Sequence, residues 1–220
     1  LHLGHVLNMI YVWGIARAID AKIILRIEDH DRQRCKPEYE AAILDDLEWL
    51  GFEPDYPSIE TFRAGKTAYR QSDNTDRYQS LADALHEQNL VYGCDYSRKQ
   101  LEAQFARTHG DAAVGEQLPY PNLSRKRGLP LDGDVNVRLI LPDKRVAFND
   151  LRLGSIEQYP QAQCGDLKIR DRRGNWNYQF ACTVDDIDQG INLIIRGEDL
   201  LESTGRQILL REVLGESSRP

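Results

Sequence analysis

Two periodicities alternate along this chain. Residues 5–19 hold an apolar run through Met9, Ile10, Val12, Trp13 and Ile15 and read as a largely buried helix. Residues 22–27 (KIILRI) are short and β-branched, the pattern of a buried parallel strand. That strand stops abruptly in Glu28-Asp29-His30-Asp31. Pro37 opens a helix that runs through Trp49, with apolar positions at Ile43, Leu47 and Leu50 and Gly51 as its stop. A further helix is predicted over residues 76–88. Helix, strand, helix, helix is the beginning of an α/β nucleotide-binding layer, provided that a first strand precedes Leu1.

Residues 104–135 lose this rhythm. They are rich in Gly and Pro, include Arg125-Lys126-Arg127, and read as a loop-rich insertion. Strand patterns follow at 135–141 (VNVRLIL) and 145–150 (RVAFND). They flank Pro142-Asp143-Lys144, which predicts a hairpin-type connection. Residues 167–170 are strand-like and meet a turn signal at Arg173-Gly174-Asn175. Residues 191–196 (INLIIR) form a second buried-strand pattern, ending in Gly197-Glu198-Asp199. The last helix is expected from Ser203 or Thr204 to Leu214, closed by Gly215.

Composition adds limits. Hydrophobic residues make up 41% and charged residues 29% of 220 residues, the balance of a globular protein with a sizeable core. The net charge of −7 argues against sequence-blind coating of nucleic acid. It leaves room for a folded RNA held by local basic clusters, Arg125-Lys126-Arg127 or Arg170, Arg172 and Arg173, although composition alone favours a solvated surface for such clusters. No apolar stretch approaches a membrane span, so no membrane partner is expected. Cys35, Cys94, Cys164 and Cys182 are scattered, with no CxxC or CxC pair. This pattern predicts neither a disulfide framework nor a complete cysteine metal site, and it fits a cytoplasmic protein.

Three places could carry chemistry. His2-Leu3-Gly4-His5 stands where a helix begins, and free N–H groups at a helix start attract anions, although so short a motif taken alone is better explained as a frayed terminus with two solvated histidines. Two histidines three positions apart share a face and can donate to phosphate oxygens. Glu28 and Asp29 end one predicted strand; Arg196, Glu198 and Asp199 end the other. Ligands of open parallel sheets bind beyond such strand ends. Opposite charges there suit a zwitterion, and an internal ion pair such as Glu28 with Arg26 is the alternative. Tyr178 could contact a polar ligand or belong to the core, and Asp185-Asp186 could meet ribose hydroxyls or cap a turn.

LHLGH (1–5), RIEDHDRQR (26–34), EWLGFEPD (48–55), DRY (76–78), NWNYQF (175–180), VDD (184–186) and IIRGEDLLESTGRQILL (194–210) together resemble the glutamyl family of class I aminoacyl-tRNA synthetases across nearly the whole chain. The resemblance implies an α/β fold: a Rossmann-like class I catalytic core with an inserted acceptor-stem-binding α+β subdomain. The core halves would be 1–90 and 166–220 and the insert 91–165. His2, Gly4 and His5 match the first ATP-binding signature, with His2 and His5 as the catalytic pair. Gly197, Glu198 and Asp199 match the stretch near the adenosine. Glu28, Tyr178 and Arg196 match residues that hold glutamate, and Asp185 and Asp186 a pair near the tRNA 3′ end. The partners implied are ATP with Mg2+, L-glutamate and tRNA.

Within the family the short paralogue that glutamylates queuosine in tRNA(Asp) is favoured by the brevity of the chain, with the catalytic domain of a full glutamyl-tRNA synthetase as the alternative. A nucleotidyltransferase without tRNA, or a non-catalytic tRNA- or partner-binding relative, are readings from other classes. The family often holds zinc on a Cys-x-Cys pair, a tyrosine and a later cysteine. Here the matching stretch has Cys94, Tyr96, Tyr120 and Ser124. Only Cys94 and Tyr120 remain as ligands, so no zinc is expected. The lysine-rich loop that clamps ATP in the family, and the arginine before the histidine signature, are expected beyond the two ends of this chain.

Overall fold

The computed structural model describes residues 1–31, 34–109 and 119–215. It divides into two compact units, one of residues 1–78 with 184–201, the other of 79–183 with 202–220. This division of contacts falls at other positions than the expected boundaries 90/91 and 165/166.

The first unit contains α1 (Leu3–Ala18), α2 (Pro37–Leu50), α3 (Ile59–Arg63) and the start of α4 (Thr75–Glu87). The predicted strand at 22–27 is extended and pairs in parallel, though only through single bridges, Ile24 to Tyr56 and Ile27 to Arg70. Leu25 N–H donates to the Tyr56 carbonyl and Ile27 N–H to the Tyr69 carbonyl, each at 2.9 Å. Its side chains divide between two clusters. Leu25 and Ile27 join Leu44, Leu47, Ile59 and Phe62, whereas Ile23 packs with Trp13 and Ala16. Each such side chain removed from water contributes roughly 1.5–3 kcal/mol. Pro at the first turn of α2 and Gly51 in the left-handed conformation (φ 73°) end that helix as its sequence predicts.

Two expectations for this unit are corrected. Helix α1 is not largely buried: only Trp13 and Ala16 are, while Leu3 is 87% exposed. Its apolar residues surround the helix, and just one stripe (Met9, Val12, Trp13, Ala16) follows the spacing that can face a core. The second predicted strand, 191–196, is not a strand. Among the described residues it forms no β-bridge; its first N–H, that of Ile191, donates to the Asp186 carbonyl at 2.9 Å, and Ile194 is 50% exposed.

The second unit is built on a three-stranded antiparallel sheet in the order β1-β2-β5, with β1 at Val91–Cys94, β2 at Asn136–Leu139 and β5 at Leu167–Arg170. Helix α5 (Arg98–His109) follows β1, so the start of the expected loop is helical; residues 110–118 lie outside the described residues. The predicted hairpin between 135–141 and 145–150 does not form. Both edges of β2 are occupied by β1 and β5, leaving none for β3 (Val146–Asp150). Instead β3 pairs with β4 (Gly154–Gln158). The turn between them is built by Asp150, whose carboxylate accepts the N–H groups of Arg152 and Leu153 at 2.8 and 2.7 Å. Helix α6 (Pro160–Cys164) leads into Gly165, and α8 (Leu201–Val213) begins two or three residues before its expected start. Helix α7 (Tyr178–Asp188) belongs to both units, changing from one to the other at Thr183–Val184.

Gly165 has φ +65° and ψ −150°, a conformation essentially restricted to glycine. A Cβ there would lie 2.0 Å from the Tyr120 carbonyl oxygen. The close approach is needed because Tyr120 and Gly165 form a parallel bridge.

Candidate active site

His2 caps α1. Its Nδ1 accepts the N–H of Gly4 at 3.1 Å, and His5 Nδ1 reaches back to the His2 N–H at a long 3.5 Å. This is the reciprocal geometry of a capping box, made here by imidazoles. The two rings stack with centroids 3.6 Å apart. A neutral ring that accepts on Nδ1 carries its proton on Nε2, which leaves each ring an N–H to donate elsewhere. Burial and the neighbouring His2 hold the His5 pKa below its ordinary value. A side chain at position 4 would press on the His2 ring, with a Cβ 3.0 Å from its Cε1, so glycine is what admits the cap.

Arg26 is the centre of the charged cluster. Its guanidinium donates to Glu28 Oε1 at 2.9 Å, to Asp186 Oδ1 at 2.7 Å and to Gln189 Oε1 at 3.2 Å. Asp185 Oδ2 lies 3.8 Å from its Nε. Thus Glu28 and the Asp185-Asp186 pair, expected at two different ligands, share one cation. The ion pair between Arg26 and Glu28 exists, as the alternative reading has it. It leaves the Glu28 side chain 38% exposed, so a second cation can still approach the carboxylate.

Asp185 is 1% and Asp186 7% exposed. Asp185 accepts from Gln71 Nε2 (2.9 Å), Asn74 Nδ2 (3.2 Å) and the Tyr78 hydroxyl (2.8 and 2.9 Å). Burial raises its pKa; the bonds from Gln71 and Tyr78, with Arg26, oppose the shift. Such a carboxylate has its lone pairs committed within the protein. His30 Nδ1 lies 2.7 Å from Gln71 Oε1, and the Ser72 N–H donates to Asp29 at 2.8 Å. Gln71, Asn74 and Tyr78 were not among the expected site residues; only the DRY triplet hinted at Tyr78.

Gly197 precedes a short 3-10 turn at Glu198–Leu200. A Cβ on Gly197 would stand 2.2 Å from Asp199 Oδ1, so this carboxylate folds back over the glycine. Arg196 is half-buried, and Glu198 and Asp199 are exposed. Tyr178 is half-buried at the head of α7. Gln207, on α8, is buried.

Cys94 and Tyr120 do meet in the second unit, at 3.4 Å from thiol to hydroxyl. The Ser124 N–H also donates to the Tyr120 hydroxyl, at 3.0 Å. Burial alone would raise the Cys94 pKa; bonds from Tyr120, the Tyr96 backbone, Arg138 and Ser124 outweigh it and bring it down. Among the described residues no group of three or more His, Cys, Asp or Glu side chains is placed to hold a metal ion, and no helix is long and apolar enough to cross a membrane.

The chain matches the family of class I tRNA synthetases (E and Q), catalytic domain, over residues 1–220. It is 40% identical over 217 residues to a glutamyl-Q tRNA(Asp) synthetase of Pseudomonas fluorescens, covering 99% of this chain and 65% of the relative. A protein of the same name from Rhodobacter capsulatus is 33% identical over 228 residues, covering 98% of this chain and 78% of the relative. The crystal structure of a glutamate tRNA ligase from Elizabethkingia meningosepticum, in complex with its amino acid, superposes with a TM-score of 0.79 at 26% identity, over 99% of this chain and 45% of that one. The chain therefore spans about two thirds of the Pseudomonas relative and under half of the ligase. Its α/β fold, its ordered motifs and these matches along its whole length make it a member of the class I tRNA synthetases, glutamate and glutamine type, within their catalytic domain.

Proposed function

We propose that the protein activates L-glutamate with ATP and transfers it to tRNA, as a glutamyl-Q tRNA(Asp) synthetase. The observation that carries this reading is the Glu28 carboxylate, held by Arg26 at 2.9 Å on a side chain that stays 38% exposed. A carboxylate held this way suits the ammonium group of an amino acid. Arg196 would take a carboxylate of the substrate, and Tyr178 joins them by its position in the family pattern. His2, Gly4 and His5 at the start of α1, with Gly197, Glu198 and Asp199, would bind the nucleotide. The two imidazole Nε2–H groups and the first N–H groups of the helix offer dipoles to phosphate. The glutamate α-carboxylate then attacks the ATP α-phosphorus and pyrophosphate leaves. The protein's part is positioning and charge stabilisation, with no covalent nucleophile of its own. Mg2+ would enter on the ATP phosphates, as it does where substrate oxygens supply most of its ligands. Zinc has no part in the reading.

Asp185 and Asp186 serve the tRNA 3′ end, in this proposal, through Arg26 and Asn74 rather than by direct contact, since both are enclosed. Residues 91–165 would form the acceptor-binding insert, and the protein would work in the cytoplasm. The subtype rests on the names of the relatives with 33% and 40% identity. The likeness to glutamate tRNA ligases favours a second reading, the catalytic domain of a full glutamyl-tRNA synthetase. One assay separates them: glutamate-dependent exchange of pyrophosphate into ATP, with and without tRNA. Exchange without tRNA supports the glutamyl-Q type. Exchange only with tRNA supports the second reading. Absence under both conditions refutes glutamate activation.

A further inference from the structure

The second unit holds a cavity of about 380 Å³ whose lining includes Tyr96, Arg138, Lys168, Asp171, Arg172 and Arg173. Four of these side chains are cationic and one is acidic. The acid is committed: Asp171 accepts the N–H groups of Arg173 and Asn175, both at 2.9 Å, and so builds the turn after β5.

Arg138 is the informative residue. It is 8% exposed, and no carboxylate of the described residues lies within ion-pair distance of it. Its Nη1 donates to the Asp166 backbone carbonyl at 2.8 Å, and its guanidinium lies over the Tyr120 ring at 3.6 Å. The nearby Asp166 carboxylate is taken by Arg125 and by the Tyr92 hydroxyl. The Nε atoms of Arg138 and Arg172 are both buried without an acceptor. Arg172 donates to the Asp95 carbonyl and lies 3.9 Å from one exposed carboxylate, Asp134. Lys168 sits between the buried positions of β5 and points to solvent. The acidic neighbour of Arg138 is the Cys94 thiol, whose pKa it helps to bring down. An enclosed guanidinium with no carboxylate partner is costly, and an anion in the cavity would relieve it.

We propose that this cavity is a phosphate-binding site and that its occupant is one backbone phosphodiester of a bound RNA. Arg138 supplies the fixed charge, Arg172 and Lys168 the rim. The inference rests on the tRNA-binding part of the proposed function and extends it to a defined contact in the second unit.

The test uses a labelled RNA hairpin with a single-stranded 3′ end, and inorganic phosphate as a separate probe. Binding is measured against salt for the wild type, Lys168→Gln and Arg172→Gln. Loss of one phosphate contact lowers the slope of log affinity against log salt by about one. The expected result is that drop in each variant, with weaker RNA binding. Glutamate-dependent pyrophosphate exchange without RNA should be unchanged, which also shows that the variants fold. RNA binding with unaltered affinity and slope in both variants overturns the proposal. So does a wild-type protein that binds inorganic phosphate here but no RNA. In that case pyrophosphate exchange still reports separately on glutamate activation.

Discussion

Arg26 and Asp186, 160 positions apart in the chain, meet at 2.7 Å, and the same guanidinium holds Glu28 at 2.9 Å. Glu28, the proposed amino-acid contact, and the acidic pair of α7 are thereby fastened to one another. Removing the cation takes from the enclosed Asp186 carboxylate the guanidinium that lies 2.7 Å away. Arg26→Ala should lower stability by about 3–5 kcal/mol in urea unfolding. Arg26→Lys keeps a charge but cannot fork between two carboxylates, so it should raise KM for glutamate more than it changes KM for ATP. A variant Arg26→Ala as stable as the wild type would contradict the enclosed pairing.

Tyr78 and Tyr92 both donate to buried carboxylates, Asp185 and Asp166. Burial first, and then the adjacent carboxylate, pushes each phenol well above its ordinary value of 10.0. The folded pKa lies above the unfolded one, so this contribution is complete below about pH 10 and is lost as the pH rises beyond it. Ultraviolet titration should show both rings silent until alkaline unfolding. Tyr78→Phe should cost about 1–3 kcal/mol at neutral pH, because Asp185 loses a donor.

Gly165→Ala combines a forbidden backbone conformation with a Cβ 2.0 Å from the Tyr120 carbonyl oxygen. Neither partner is a flexible side-chain end that could swing away. A loss of at least ~3 kcal/mol is expected in thermal unfolding. A melting temperature near that of the wild type would show that Tyr120 and Gly165 are not held so closely.

Gly197→Ala meets only a side chain, Asp199 Oδ1, and its φ of −61° suits any residue. Stability should stay within ~0.5 kcal/mol of the wild type. The displaced Asp199 carboxylate should show in the kinetics as a raised KM for ATP with KM for glutamate unaltered. Equal changes in both would detach this turn from the nucleotide.

Arg196→Ala should weaken glutamate binding far more than ATP binding, as measured by the two KM values in pyrophosphate exchange. Equal losses would contradict its assigned carboxylate contact.

Much of the helical framework was legible from local signals. Pro37 and Gly51 bracket α2 because each suits one end of a helix, whatever surrounds it. The parallel pairing of 22–27 was readable for the same reason, from a short run that can be solvated on neither face. Strand partnership was not legible. Residues 135–141 and 145–150 look like a hairpin, yet pairing depends on which edges remain free, and β2 has none. The turn that did form was signalled by Asp150 and Gly154, a weaker pattern than Pro142-Asp143-Lys144. In the site, Glu28 stood out as a charge ending an apolar run. Gln71 and Asn74 carried no such mark, since a neutral amide becomes informative only when the carboxylate it serves is known.

The imidazole cap makes the start of α1 a fixed array of directions. The Nδ1 atoms of His2 and His5 are spent on the backbone of the first turn, so what either ring can turn toward a ligand is its Nε2 edge. Any attraction for an anion at this end of the helix is then a matter of where the helix points, not of side chains that swing to meet the ligand.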